Sequence, residues 1–100
     1  MPSPRYLPLS TVLRFEAEAR RRGVSKVARS ARGFLTQYKR AGGDPRRLSP
    51  YWRARRDGFV ARHMAQAEAR GEKLVDAEGR LSRRHLALVM WAYSPMSGRL

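Results

Sequence analysis

Between Ser49 and Gly71, in SPYWRARRDGFVARHMAQAEARG, apolar side chains recur at a spacing that a helix gathers on one side. At about 100° of rotation per residue, Trp52, Phe59, Val60, Met64 and Ala67 share one broad face. Ser49 offers a side-chain oxygen to an orphan backbone N–H at the start. Pro50 loses nothing at the first helical position, and Gly71 suits the left-handed close. Arg56 and His63 fall inside the apolar arc, and Arg55 and Arg62 flank it. This is the element around which the remaining pattern is organised.

Upstream, Pro2, Pro4 and Pro8 disfavour helix and predict an extended arm over residues 1–9. Ser10 reads as an N-cap, followed by a helix over 11–22 that Gly23 stops, with Val12, Phe15 and Ala19 on its apolar side. From Val24 to Ala41 the apolar positions Val24, Val27, Ala28, Ala31, Phe34, Leu35, Tyr38 and Ala41 hold one helical phase. That phase predicts a single helix capped by Ser25, with Gly33 on its solvent side at a cost of about 1 kcal/mol. Ser30 can instead cap a second helix and divide the segment. Gly42-Gly43-Asp44-Pro45 turns the chain. After Gly71, Asp76–Gly79 forms a turn between Leu74-Val75 and Leu81, as a compact loop or a very short hairpin. Ser82 caps a last helix running to Tyr93 and stopped by Ser94-Pro95. That helix is apolar almost all round, which places it at the centre of the domain or in an oligomer interface. The pattern predicts an all-α fold, four helices around one core in a domain spanning 10–94, with a tail over 95–100.

The alternative division at Ser30 carries a resemblance. The stretch RRGVSKVARSARGFLTQYKR is similar to the helix-turn-helix of DNA-binding proteins, with Ala28 as the small packing residue. It spans about a fifth of the chain and departs from the pattern in that Gly33 lies one residue late for the turn. The resemblance implies a recognition helix over about 31–41 that enters a DNA groove.

Composition adds the strongest functional hint. Lys and Arg number 22 against 8 acids, a net charge of +14, and Arg supplies 19 of the 22 cations. The first fifty residues carry +9 and the last fifty +5, so the excess is spread along the chain. Charge of that size repels itself unless a polyanion relieves it, and Arg presents a bidentate fork to phosphate. Arg20, Arg21 and Arg22 in the last turn of the first predicted helix, Arg32 and Lys39 on one flank of 31–41, Arg46 and Arg47 in a loop, and Arg55 and Arg62 lie where the apolar phase does not need them. Arg20–Arg22 also complement a helix dipole. Arg56 divides two ways: with Trp52 and Phe59 it can form a stacking and phosphate-binding surface, or it pairs with Asp57, Glu16, Glu18 or a backbone carbonyl. Ala54, Gly58, Ala61, Ala65 and Ala69 form a strip of small residues that another helix or a second copy can approach.

Other chemistry finds no motif. There is no cysteine, hence no disulfide or thiolate site. His63 and His85 stand on different helices without an HExxH relationship, and GGDP lacks the strand, lysine and spacing of a phosphate loop. The start MPSPRYLPLS has no apolar run of the secretory kind, and Leu86–Tyr93 is too short to span a bilayer. The expectation is a non-enzymatic protein without cofactor or metal, cytoplasmic, whose partner is nucleic acid, with DNA ahead of RNA. Its rival is an assembly protein that meets an acidic protein surface.

Overall fold

The computed structural model describes residues 4–100; the part of the predicted arm over 1–3 lies outside them. The described residues form four helices: α1 Leu9–Arg21, α2 Phe34–Arg40, α3 Pro50–Arg70 and α4 Arg83–Met90, with single 3₁₀ turns at Pro45–Arg47 and Ser97–Arg99. The fold is all-α, as the pattern predicts. Val75 and Leu81 form one isolated antiparallel bridge, the whole extent of the predicted hairpin. No helix among the described residues is long and apolar enough to cross a membrane.

Burial explains the arrangement. α4 packs against both α1 and α3, and Leu86, Leu88, Val89 and Met90 are fully buried. An all-round apolar helix must be enclosed by its own domain or by a partner; here the domain encloses it. Val12 and Ala19 of α1, Phe34, Leu35 and Tyr38 of α2, and Trp91 complete the core. Trp52 and Phe59 pack against it from α3. Three capping expectations hold. Ser49 accepts from the Trp52 N–H, Gly71 is left-handed with φ 60°, and Ser82 accepts from the His85 N–H.

α1 starts one residue ahead of the expected cap. Pro8 occupies the cap position, and its carbonyl accepts from Thr11 and Val12, so Ser10 sits inside the first turn. The arm is tied down over its described part: Leu7 is buried, and its N–H donates to the Ala92 carbonyl at 2.8 Å. The Tyr38 hydroxyl returns a bond to the Leu7 carbonyl at 2.7 Å, and burial pushes that phenol up to about 12.

The segment 24–41 corrects both readings of it. Only Phe34–Arg40 is helix, and 24–33 is a succession of turns. With no first helix, the helix-turn-helix resemblance does not extend to the structure. Gly23 and Ser25 both take left-handed φ, 65° and 56°, which breaks the chain direction. The strand of turns then folds back so closely that a Cβ on Gly33 would lie 2.0 Å from the Val27 carbonyl oxygen. Gly33 is thus buried as the residue before α2 rather than exposed in mid-helix. Val24 and Ala28 still reach the core, while Val27 is 77% exposed.

α4 ends at Met90, short of the expected Tyr93, because Ala92 turns left-handed with φ 58°. The carbonyls released at Trp91 and Ala92 are taken up by a side chain from α3, described next.

Candidate nucleic-acid interface

That side chain is Arg56, which is fully buried. A guanidinium has five N–H donors in a fixed fork, and each of the five finds an acceptor. Nε donates to the Trp91 carbonyl at 3.0 Å, one terminal nitrogen to the Ala92 carbonyl at 2.7 Å and the Arg5 carbonyl at 2.9 Å, and the other to the Pro4 carbonyl and Asp57 Oδ1. The Tyr6 ring lies 3.8 Å from the guanidinium carbon. Arg56 therefore caps the C-terminal end of α4 and fastens the arm. Of its two sequence readings the paired one holds, and Arg56 leaves the candidate interface because it has no donor left for phosphate.

The other candidate cations remain at least partly exposed, several of them in ion pairs. Lys39 and Arg20 both approach Glu16, at 2.9 and 3.9 Å. Arg22 is half-buried, bonded to Glu18 at 2.9 Å and to the Leu81 carbonyl at 2.7 Å. Arg46 forms a two-point pair with Asp44, and these bonds hold the Asp44 carboxyl below its ordinary range. Arg21, Arg32 and Arg47 are exposed, without a carboxylate at ion-pair distance among the described residues.

Arg55 and Arg62 belong to a longer feature. On α3, Arg55, Phe59, Arg62, Gln66 and Arg70 follow one another at intervals of three or four residues, which places them in one row about 22 Å long. Neither Arg55 nor Arg62 has a carboxylate partner among the described residues. At the start of the row, the Arg55 guanidinium lies 5.5 Å from the centre of the Tyr51 ring, which is 61% exposed, and 5.8 Å from that of Trp52. In the middle, the Phe59 ring stacks on Trp91 at 4.4 Å and meets His63 at 4.1 Å. At the far end, an open cleft of about 540 Å³ is lined by His63, Gln66, Arg70, Arg83 and Arg84 among others. Arg83 there donates to the Arg22 carbonyl, joining the cleft to the end of α1.

Arg84 organises that far end. It holds Glu72 through two bonds, at 2.8 and 2.9 Å, and donates to Gln66 and to His63 Nδ1. Because a guanidinium only donates, His63 Nδ1 must accept, so the ring is neutral with its proton on Nε2. Burial, then the charge of Arg84, hold His63 below its ordinary value. His85 is fully buried, with Nδ1 against the Leu74 carbonyl at 2.9 Å and Nε2 against Ser94 Oγ at 2.7 Å. Desolvation lowers its pKa too. Among the described residues no three His, Asp or Glu side chains gather as a metal site requires.

Sequence reading missed Gln66, Arg70, Arg83 and Arg84. The first two were legible as continuations of the Arg55–Arg62 spacing. The last two were not, since only the packing of α4 on α3 brings them to the row. Comparison with protein-family models, with curated proteins and with solved structures finds no match for this chain, so its functional reading rests on its own residues and their geometry.

Proposed function

We propose that this is a small, non-enzymatic nucleic-acid-binding protein that holds the phosphate backbone along the exposed row of α3. The observation that carries this reading is the pairing of a +14 charge with a linear array, Arg55, Arg62, Gln66 and Arg70, on one helix. Among the described residues Arg55 and Arg62 have no carboxylate at ion-pair distance, and Glu72, which lies 3.8 Å from Arg70, is already committed to Arg84. Cations in this condition attract phosphate and release its condensed counterions. Backbone contact of this kind positions a nucleic acid without reading its sequence.

The test is the salt dependence of binding, followed by fluorescence anisotropy of a labelled oligonucleotide. Each phosphate neutralised by a cation contributes about −0.7 (single strand) to −0.9 (duplex) to the slope of log K against log salt, so contacts from Arg55, Arg62 and Arg70 give a slope of about −2 to −3. The double variant Arg55→Ala, Arg62→Ala should make the slope shallower by about 1.4 to 1.8. Absence of oligonucleotide binding even at low salt would replace this reading with the acidic-protein partner. The exposed Leu13, Val27 and Tyr51 would then be the apolar contacts of that partner.

A further inference from the structure

Midway along the α3 row is a notch of about 200 Å³ lined by Ala54, Arg55, Gly58, Phe59, Arg62 and Trp91. Its floor is aromatic: Phe59 is half-buried and Trp91 is 8% exposed, their rings 4.4 Å apart and 13° from parallel. Its two ends are guanidinium groups. We propose that this notch receives a single unpaired nucleobase, so that the protein binds single-stranded nucleic acid in preference to duplex.

Three observations point to that occupant. The floor is aromatic: Trp91 lies stacked between Phe59 and Phe34, the latter at 5.1 Å, so the rings offer their edges, which suit the face of any base and require no hydrogen-bond code. Arg55 and Arg62 flank it about two helical turns apart in the same row, without carboxylate partners among the described residues, so the phosphates on either side of an inserted base meet positive charge. Gly58 supplies the third. A glycine inside a 21-residue helix is unfavourable relative to alanine, and no backbone approaches it closely. The nearest atom to a Cβ built there is Arg62 Nη1, at 3.2 Å. What the missing side chain does is keep the notch open and leave room for the Arg62 guanidinium to lie over it. In a duplex the bases are stacked and paired inward, so a notch on a convex helix meets only backbone; an unpaired strand can turn a base outward.

This inference rests on the nucleic-acid reading above, and the decisive comparison separates the two. Wild-type protein is titrated with an oligothymidylate and with an abasic deoxyribose-phosphate chain of the same length and charge, by anisotropy and by tryptophan fluorescence. The notch predicts binding to the abasic chain weaker by about tenfold, and tryptophan quenching by the oligothymidylate alone, since Trp91 forms the floor. A duplex of equal phosphate count should bind at about the abasic level. Equal affinity for both single chains would overturn the notch while leaving the phosphate reading in place. Binding to neither at low salt would overturn that reading itself. Gly58→Leu fills the notch at an open helical position and should erase the difference between the two chains; retention of the full difference in a folded Gly58→Leu protein would also overturn the proposal.

Discussion

Arg56 shows how a single buried charge can be tolerated and what it then does. Taking a guanidinium out of water costs several kcal/mol unless its donors are satisfied. Here four backbone carbonyls and Asp57 take all five donors. The Trp91 carbonyl is a group that the end of α4 would otherwise leave unpaired, whereas the Ala92 carbonyl also accepts from the Leu7 N–H. Arg56→Ala leaves the Trp91 carbonyl orphaned in the interior, at about 1–3 kcal/mol, and removes the remaining bonds that tie the arm to α3 and α4, so the expected outcome in urea denaturation is a loss of at least about 3 kcal/mol. Arg56→Lys should recover little of it, because an ammonium has three donors and no planar fork. A lysine variant as stable as wild type would show that charge alone, and not the fork, holds the arm and α4 together.

The element that departs most from its pattern is 24–33. Its apolar positions keep a helical phase, yet the chain turns at Gly23 and Ser25 and folds back on itself. Of the positions that share this phase Val24 and Ala28 are buried but Val27 and Ala31 are exposed, because periodicity does not record the path of the chain. Gly33 makes the two paths distinguishable. On a solvent-facing helix, Gly33→Ala would stabilise by about 1 kcal/mol. In this fold its Cβ would meet the Val27 and Ala28 carbonyls, and relief would require the turn to open. We expect Gly33→Ala to lower the thermal midpoint; a raised midpoint would restore the single helix.

Across the whole molecule, charge and titration act together. Burial, joined at His63 by the charge of Arg84, holds both histidines in the folded state below the ordinary 6.5 at which the unfolded chain protonates. Below about pH 6.5 the unfolded chain therefore binds more protons than the folded one, and stability falls as pH falls. Above that value neither state is charged at these rings and the contribution vanishes. The urea midpoint should thus be lower at pH 5.5 than at pH 7.5, and His63→Gln, which retains an acceptor for Arg84, should reduce the difference. Identical midpoints would mean that the rings titrate freely. The same positive charge that burdens the acid state leaves Arg55 and Arg62 without acids to pair with, which is the condition the proposed backbone contact needs.

The chain's own order of residues determined the helical class, the limits of α3 at Ser49 and Gly71, the cap at Ser82 and the cationic excess, because caps, period and charge act over a few residues or none. Tertiary structure decided the rest. It took Arg56 from the surface to the interior, since only the meeting of arm, α3 and the end of α4 offers five acceptors to one side chain. It ended α4 at Met90, where carbonyls freed by the left-handed Ala92 could be bonded from outside the helix. It also brought Trp91 beneath Phe59 to form the floor of the notch, an encounter between residues 32 positions apart that no local spacing announces.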